Sequence, residues 1–364
     1  MINRIRRSFA GVAACQHGGK VQEAASILGA EPLDFSANIN PLGSPPLNEL
    51  FLEELKHIGH YPDNSYRNFR RAAAEFVNVD MECIVPGNGS SELIRLFAEC
   101  CLVEGDMALV PTPSFGEYTN QSQIAGATIK KLNIGEDGLP LLSKVDLAQA
   151  KLLFLCNPNN PTGRLLSAGQ VMDLADRCED MQTFLLVDEA FIELSEPKES
   201  VAIQAPCREY LFVMRSLTKS FGVPGLRLGF GVTNSRLAGI LNLARIPWSI
   251  GSLASAAAEY LLGCDEHLMR SRQIIKTEIA WLQDSLRGLG LQPIPSSVNF
   301  ILVNIKPSGL DSDVLAKRSM REGVLVRDCQ SFGLGKSYIR VAVRKRSENE
   351  QLIAALEKAL LCRD

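Results

Sequence analysis

No apolar run in the sequence approaches the ~18 residues that a membrane-spanning helix needs, which argues against a helical membrane protein. No C-x-x-C pair occurs among the ten cysteines, so zinc-ribbon and thioredoxin-type spacings are both missing. Several cysteines sit inside apolar runs, such as Cys156 in KLLFLC, and read as reduced, buried thiols of a cytoplasmic protein. An excess of one charge is lacking too: 38 basic against 41 acidic residues leave a net charge of −3, and no block of like charge reaches five residues. Binding of nucleic acid or of a membrane surface by bulk electrostatics is therefore not expected. The start, MINRIRRSFAGVAAC, has the order of a secretory leader, but its apolar stretch from Phe9 to Ala14 is shorter than the ~7–15 residues of such a segment. Internal repeats and low-complexity linkers are absent.

What is present is an ordinary globular balance, 46% apolar and 22% charged residues, on a chain of 364, long enough for a large core. Short apolar runs at 106–110, 151–156, 183–187, 210–214 and 227–232 are nearly continuous, as strands covered on both faces should be. Helical patterns at 90–102, 168–181 and 236–245 lie between them. This alternation predicts an α/β fold with a mainly parallel sheet and helices on both faces. The tail differs: a mostly helical stretch over about 252–287, strands at 299–305 and 338–344, a helix near 311–322 and a last helix starting near Ser347. Ser347 and Glu350 have the spacing of a capping box. The tail reads as a smaller α+β unit, and 31–45, rich in Asn, Pro, Gly and Ser, as an ordered loop.

The most specific stretch is SLTKSFGVPGLRLGF, 216–230. Lys219 follows a buried strand, among Ser, Thr and Gly. An amine nucleophile that forms a Schiff base needs such a held lysine, and pyridoxal 5′-phosphate is the usual carbonyl partner. Its phosphate needs hydroxyl, backbone N–H and guanidinium donors, which Ser216 and Arg227 can supply. In PGNGSSELIRLF, Gly87, Gly89, Ser90 and Ser91 precede a periodic helix, whose start offers free N–H groups to an anion. An ordinary serine N-cap would look the same from this stretch alone. Asp188 ends the run TFLLVD; ionised, it would keep a pyridine nitrogen protonated and the ring an electron sink.

These stretches, with NPNNPTG at 157–163, resemble the motifs of fold-type I pyridoxal-phosphate-dependent aminotransferases and decarboxylases, in the same order. The steps are 28 residues from Asn160 to Asp188 and 31 from Asp188 to Lys219, and the resemblance spans nearly the whole chain. It implies that Lys219 and Asp188 are catalytic. It also implies that Asn160 bonds the cofactor's phenolic oxygen, that Phe115 stacks on its ring, and that Tyr61 reaches the phosphate of a neighbouring subunit in a homodimer with shared active sites. HGGKVQEAASILG (17–29) followed by LDFSANINPLG (33–43) closely resembles the L-threonine-O-3-phosphate decarboxylases of cobalamin biosynthesis, close relatives of histidinol-phosphate aminotransferases. Those decarboxylases form (R)-1-amino-2-propanol O-2-phosphate, the linker of the cobamide nucleotide loop. Phe191 stands where many of the aminotransferases carry a tyrosine that donates to the cofactor's phenolate. Serine phosphate as substrate, and histidinol-phosphate transamination, remain open alternatives.

For a small phosphorylated amino acid, the substrate-binding candidates are His17, Ser36, Asn38, Asn40, Asn160, Arg340 and Arg344. Arg340 stands either for the α-carboxylate, which suits a planar bidentate donor, or for the phosphate. Lys345 and Arg346 read as a solvated run before the last helix. No metal site is expected. The expected organisation is an N-terminal arm and substrate loop (1–45), a large cofactor-binding domain (46–250) and a small C-terminal domain (251–364).

Overall fold

The computed structural model describes residues 6–9 and 11–362, so the leader-like start falls partly outside them. A two-residue strand, β1 (Leu33–Asp34), comes first. A seven-stranded sheet follows: β2 (Ile84–Gly87), β3 (Met107–Thr112), β4 (Thr128–Asn133), β5 (Leu152–Cys156), β6 (Phe184–Asp188), β7 (Leu211–Ser216) and β8 (Gly229–Val232). Their order is β2-β8-β7-β6-β5-β3-β4. Only β8 runs against its neighbours. Five of these strands are the apolar runs read from sequence. The two that the runs miss, β2 and β4, are the sheet edges. β4 (TIKKLN) faces mostly solvent, and its lysines protect the edge rather than mark a core.

Both faces are covered. One apolar layer includes Leu109, Leu153, Val187 and Val213; the other includes Phe97, Phe154, Leu186 and Phe212, so alternate residues of each strand serve opposite layers. This explains why the runs are apolar at every position.

The second body is an antiparallel sheet in the order β12-β13-β10-β9, made of β9 (Gln292–Pro293), β10 (Phe300–Asn304), β12 (Arg327–Asp328) and β13 (Tyr338–Ala342). Helices Ser312–Arg321 and Arg346–Leu361 pack with it, and β11 (Val324–Leu325) leads into β12. The loop 31–45 is not free-standing. Its β1 pairs in parallel with β11, Phe35 is fully buried in the core of this second body, and Ala342 N–H donates to the Phe35 carbonyl. The Leu33–Phe35 segment of the arm is thus packed as part of the C-terminal body, while Asn40 and His17 reach residues of the large one.

Two sequence expectations shift. The stretch 252–287 is broken at Gly263–Cys264 into helices Ser252–Leu262 and Asp265–Gly288. The first of them buries Ala257, Ala258 and Leu261 in the core of the large sheet, so the boundary expected after residue 250 cuts through large-body packing. The last helix starts at Arg346, one residue before the expected Ser347. Its start is fixed by the Glu348 carboxylate accepting from the Lys345 backbone N–H, not by Ser347 and Glu350. Among the described residues, no helix is long and apolar enough to cross a membrane.

Candidate active site

In the large sheet, β5, β6 and β7 lie side by side, with Cys156 opposite Asp188 and Asp188 opposite Met214. Parallel strands put all three carboxyl ends at one edge, where ligands of open α/β sheets bind. The loop carrying Asn160, the carboxylate of Asp188 and the turn carrying Lys219 therefore converge, although 59 residues separate the first from the last. Asn160, Asp188 and Lys219 line one cavity of about 350 Å³ with Ser90, Ser91, Phe115, Phe191, Ser216, Arg227, Arg340, His17, Ser36 and Asn38.

The Lys219 amine has no hydrogen-bond or ion-pair partner among the described residues. Burial, with Arg340 and Arg227 nearby, lowers its pKa from 10.5 to about 8. Asp188 is buried, and burial raises its carboxyl to about 6 against two hydrogen bonds that favour the anion. Those bonds come from Tyr118 Oη (2.6 Å) and the Ala190 backbone N–H (3.0 Å). Tyr118 is itself fully buried and stacked on Phe154 at 4.9 Å. Behind Asp188, Arg215 of β7 is clamped between Glu189 (2.9 Å) and Glu193, which ties the ends of β6 and β7 together.

Tyr118 was not found from sequence, although it stands one helical turn from Phe115 in PSFGEY. Its effect on Asp188 is testable in the cofactor-free chain. A carboxyl raised from 3.8 to about 6 on folding binds more protons native than unfolded, so its contribution falls as pH rises through that window. Tyr118→Phe removes a hydrogen bond to a charged group, about 1.5–3 kcal/mol, and should push Asp188 up by about one to two pH units. Thermal unfolding of variant and wild type should then differ little at pH 4 and diverge above pH 6, with the variant the less stable. Parallel profiles above pH 6 would refute this coupling.

At the other end of the cavity, Gly89 precedes the helix Ser90–Cys101 at φ 79°, and a Cβ there would lie 2.6 Å from the Arg227 guanidinium. The absent side chain leaves a cradle of helix N-terminus, serine hydroxyls and guanidinium, suited to a phosphate. Arg227 itself takes the left-handed conformation at φ 55°, which few non-glycine residues adopt.

Arg327, which sequence reading also missed, completes the cavity. It lies directly opposite Arg340 in the β12–β13 pairing, and both are buried. Like charges facing each other across strands are destabilising. Their partners are neutral oxygens: Arg340 donates to Asn160 Oδ1 and the Ser36 carbonyl (2.8 Å), and Arg327 to the Gln16 carbonyl (2.7 Å), the His17 carbonyl (3.3 Å) and Ser331 Oγ (2.8 Å). Neither forms an ion pair with a carboxylate of the described residues. The buried Nε of Arg340 and Oδ1 of Asn38 have no hydrogen-bond partner among the described residues. Burial lowers the Arg340 pKa to about 10, so it stays charged at neutral pH. The cavity is thus short of negative charge and built for an anionic ligand.

Four predicted residues stand elsewhere or are otherwise engaged. Arg344 is not in the cavity: it pairs with Glu348 at 2.5 Å and donates to the Asp34 carbonyl, which fastens the arm. Asn40 Nδ2 donates to the Ser220 carbonyl (2.6 Å) and Ser271 Oγ (2.7 Å), so it braces the lysine-bearing turn. Ser36 lines the cavity, but its hydroxyl is committed to Asp34 at 2.6 Å. Tyr61 is 81% exposed and rests on Trp248 at 4.7 Å, outside its own chain's cavity. Arg346, read as solvated, pairs with Glu278 at 3.0 Å. His17 is held by Glu117 at 3.0 Å, with its ring 6.0 Å from Phe115. Gly18 lets the arm in: a Cβ there would lie 2.4 Å from the Ser36 carbonyl.

The family described as Aminotransferase class I and II matches residues 30–356. Threonine-phosphate decarboxylase of Salmonella typhimurium is 36% identical over 357 residues, covering 94% of this chain and 96% of that protein. Histidinol-phosphate aminotransferase of Symbiobacterium thermophilum is 34% identical, covering 94% of this chain and 95% of that protein. The crystal structure of L-threonine-O-3-phosphate decarboxylase from Porphyromonas gingivalis superposes with a TM-score of 0.79 at 26% identity, covering 89% of this chain and 98% of that one.

Proposed function

The chain belongs to the class I and II aminotransferase family, whose cofactor is pyridoxal 5′-phosphate, and from that premise we propose that it decarboxylates L-threonine O-3-phosphate to (R)-1-amino-2-propanol O-2-phosphate. The observation that carries this reading is the pair Arg327 and Arg340, two buried guanidinium groups with no carboxylate partner, facing one cavity. A substrate bearing both a carboxylate and a phosphate answers that shortage of negative charge. The arm favours the decarboxylase over the aminotransferase. It is the segment that resembles the decarboxylases, and it brings His17 into the cavity. Phe191, packed on Phe300 at 5.1 Å, offers no hydroxyl where many of the aminotransferases have one.

The lining suits the cofactor: Gly89, Ser90, Ser91, Ser216 and Arg227 would hold its phosphate, Asp188 its pyridine nitrogen, Phe115 its ring and Asn160 its phenolic oxygen. When bound, pyridoxal 5′-phosphate supplies a carbonyl for the amine and an electron sink for the bond that breaks. The protein's own residues do the rest. Arg340, fixed by Asn160 and Ser36, grips the α-carboxylate and orients the Cα–carboxylate bond for cleavage. Arg327 and His17 take the phosphate. Lys219 Nζ delivers the proton that replaces CO2 on Cα. Asp188, kept anionic by Tyr118, holds a proton on the pyridine nitrogen.

Two copies assemble as a cytoplasmic homodimer, with Tyr61 of each reaching the other's phosphate cradle. Support comes from the exposed apolar residues just before Trp248, Leu243 and Ile246 among them, and from Tyr61 lying outside its own cavity. The product would serve as the linker of the cobamide nucleotide loop. The experiment is incubation with L-threonine phosphate and, in parallel, serine phosphate, with assay of CO2 and the amino alcohol phosphate. One methyl is worth about 1–3 kcal/mol, so a preference of about 10–200-fold for threonine phosphate is expected. Keto-acid-dependent amino exchange with histidinol phosphate and no CO2 would overturn the reading.

A further inference from the structure

Beside the cavity, one donor atom each from Cys15, His17 and Glu117 lie within 4.8 Å of one another. Glu117 is buried, and its second oxygen accepts from Gln121 at 2.7 Å, which orients the carboxylate. Cys15 approaches because residue 116 is glycine: a Cβ there would lie 2.7 Å from Sγ. Thiolate, imidazole and carboxylate are the donors zinc prefers, and a set of three protein ligands leaves a fourth position open. Such a set binds at about 2.0–2.3 Å per ligand, so the widest donor separation needs to close by no more than about 1 Å. Cys15 and His17 stand on the arm before its first helix, where a shift of that size disturbs no strand pairing.

We propose that Cys15, His17 and Glu117 form a zinc site at the mouth of the cavity, and that Zn²⁺ bound there draws His17 off the substrate phosphate and inhibits the enzyme. The inhibitory half rests on the function proposed above; the binding half does not. A thiolate and a carboxylate balance the charge of the ion. Arg327, which holds the carbonyls of Gln16 and His17 between the proposed ligands, opposes the ion; Arg340 of the same lining meets the arm farther along, at the Ser36 carbonyl.

The test is equilibrium dialysis of the holoenzyme against buffered Zn²⁺, with the metal counted by atomic absorption. One tight equivalent is expected, weakened at least about tenfold in both Cys15→Ser and Glu117→Gln, and unchanged in Cys100→Ser, an exposed-cysteine control. Zn²⁺ should raise the KM for the phosphorylated substrate of the wild type and leave that of Cys15→Ser unchanged. Equal zinc affinity in wild type and Cys15→Ser overturns the site. Equal zinc inhibition of the two overturns the coupling to His17. The dialysis result stands whether or not threonine phosphate is the substrate, so the two proposals fail separately.

Discussion

Lys219→Ala should lower turnover at least about 10⁴-fold, because in the proposed mechanism one side chain supplies both the nucleophile and the proton carrier. The described lining offers no second amine: its other cations are guanidinium groups, which do not deprotonate near neutral pH, and the His17 imidazole is held by Glu117 at 3.0 Å. Borohydride reduction gives a readout independent of activity. It should fix pyridoxal phosphate covalently to the peptide containing residue 219 in the wild type and leave that peptide unlabelled in the variant. The fold should survive. Lys219 is charged at lower pH in both states and sheds its proton near pH 8 when folded against 10.5 when unfolded, so its burial opposes folding below pH 8. That opposition is lost as pH rises from 8 to 10.5. At neutral pH the cofactor-free alanine variant should be at least as stable as the wild type. The same shift predicts how the free chain takes up its cofactor. The rate should rise about fivefold from pH 7 to 8 and then flatten, whereas an ordinary lysine would keep accelerating toward pH 10. Labelling at another lysine in the variant, or uptake that rises steadily to pH 10, would refute this assignment.

The parts of the site legible in sequence are those carried by local pattern. Asn160, Asp188 and Lys219 each follow a continuous apolar run, and parallel neighbours must bring such ends together. Ser90 and Ser91 stand at a helix start and needed only its dipole. Side chains whose duty is set by a distant partner were not legible. Asn40 looked like a polar loop residue facing a ligand until Ser271, 231 positions away, took its amide. Arg344 looked like a second anion-binding arginine until the arm folded under it and presented the Asp34 carbonyl. Arg327 left a faint signal, a cation directly after the apolar run VLV, but only the strand register sets it opposite Arg340. The arm's attachment was invisible because it depends on a two-residue strand, β1, too short to show any period.

The register that joins the two arginines also separates their expected effects. Arg340→Ala should reduce kcat/KM about 30- to 4,000-fold, the 2–5 kcal/mol expected when one member of a buried charge pair is truncated. Arg340→Lys should recover little, since an ammonium cannot reproduce the fork that contacts Asn160, Ser36 and a carboxylate together. If Arg340 holds the carboxylate, its loss should penalise threonine and threonine phosphate by the same factor. Arg327→Ala should penalise only the phosphorylated substrate. Removing either guanidinium also relieves a like-charge contact in a buried pair, so neither variant should lose the stability that deleting a partnered buried charge normally costs. A threonine-phosphate-specific defect in Arg340→Ala would exchange the two roles. A loss of thermal stability comparable to the loss of activity would mean that the pair serves the fold rather than the ligand. With orientation loosened, the Arg340→Ala product mixture should also shift, CO2 release giving way in part to amino exchange, because the bond that breaks is the one the carboxylate anchor holds in line.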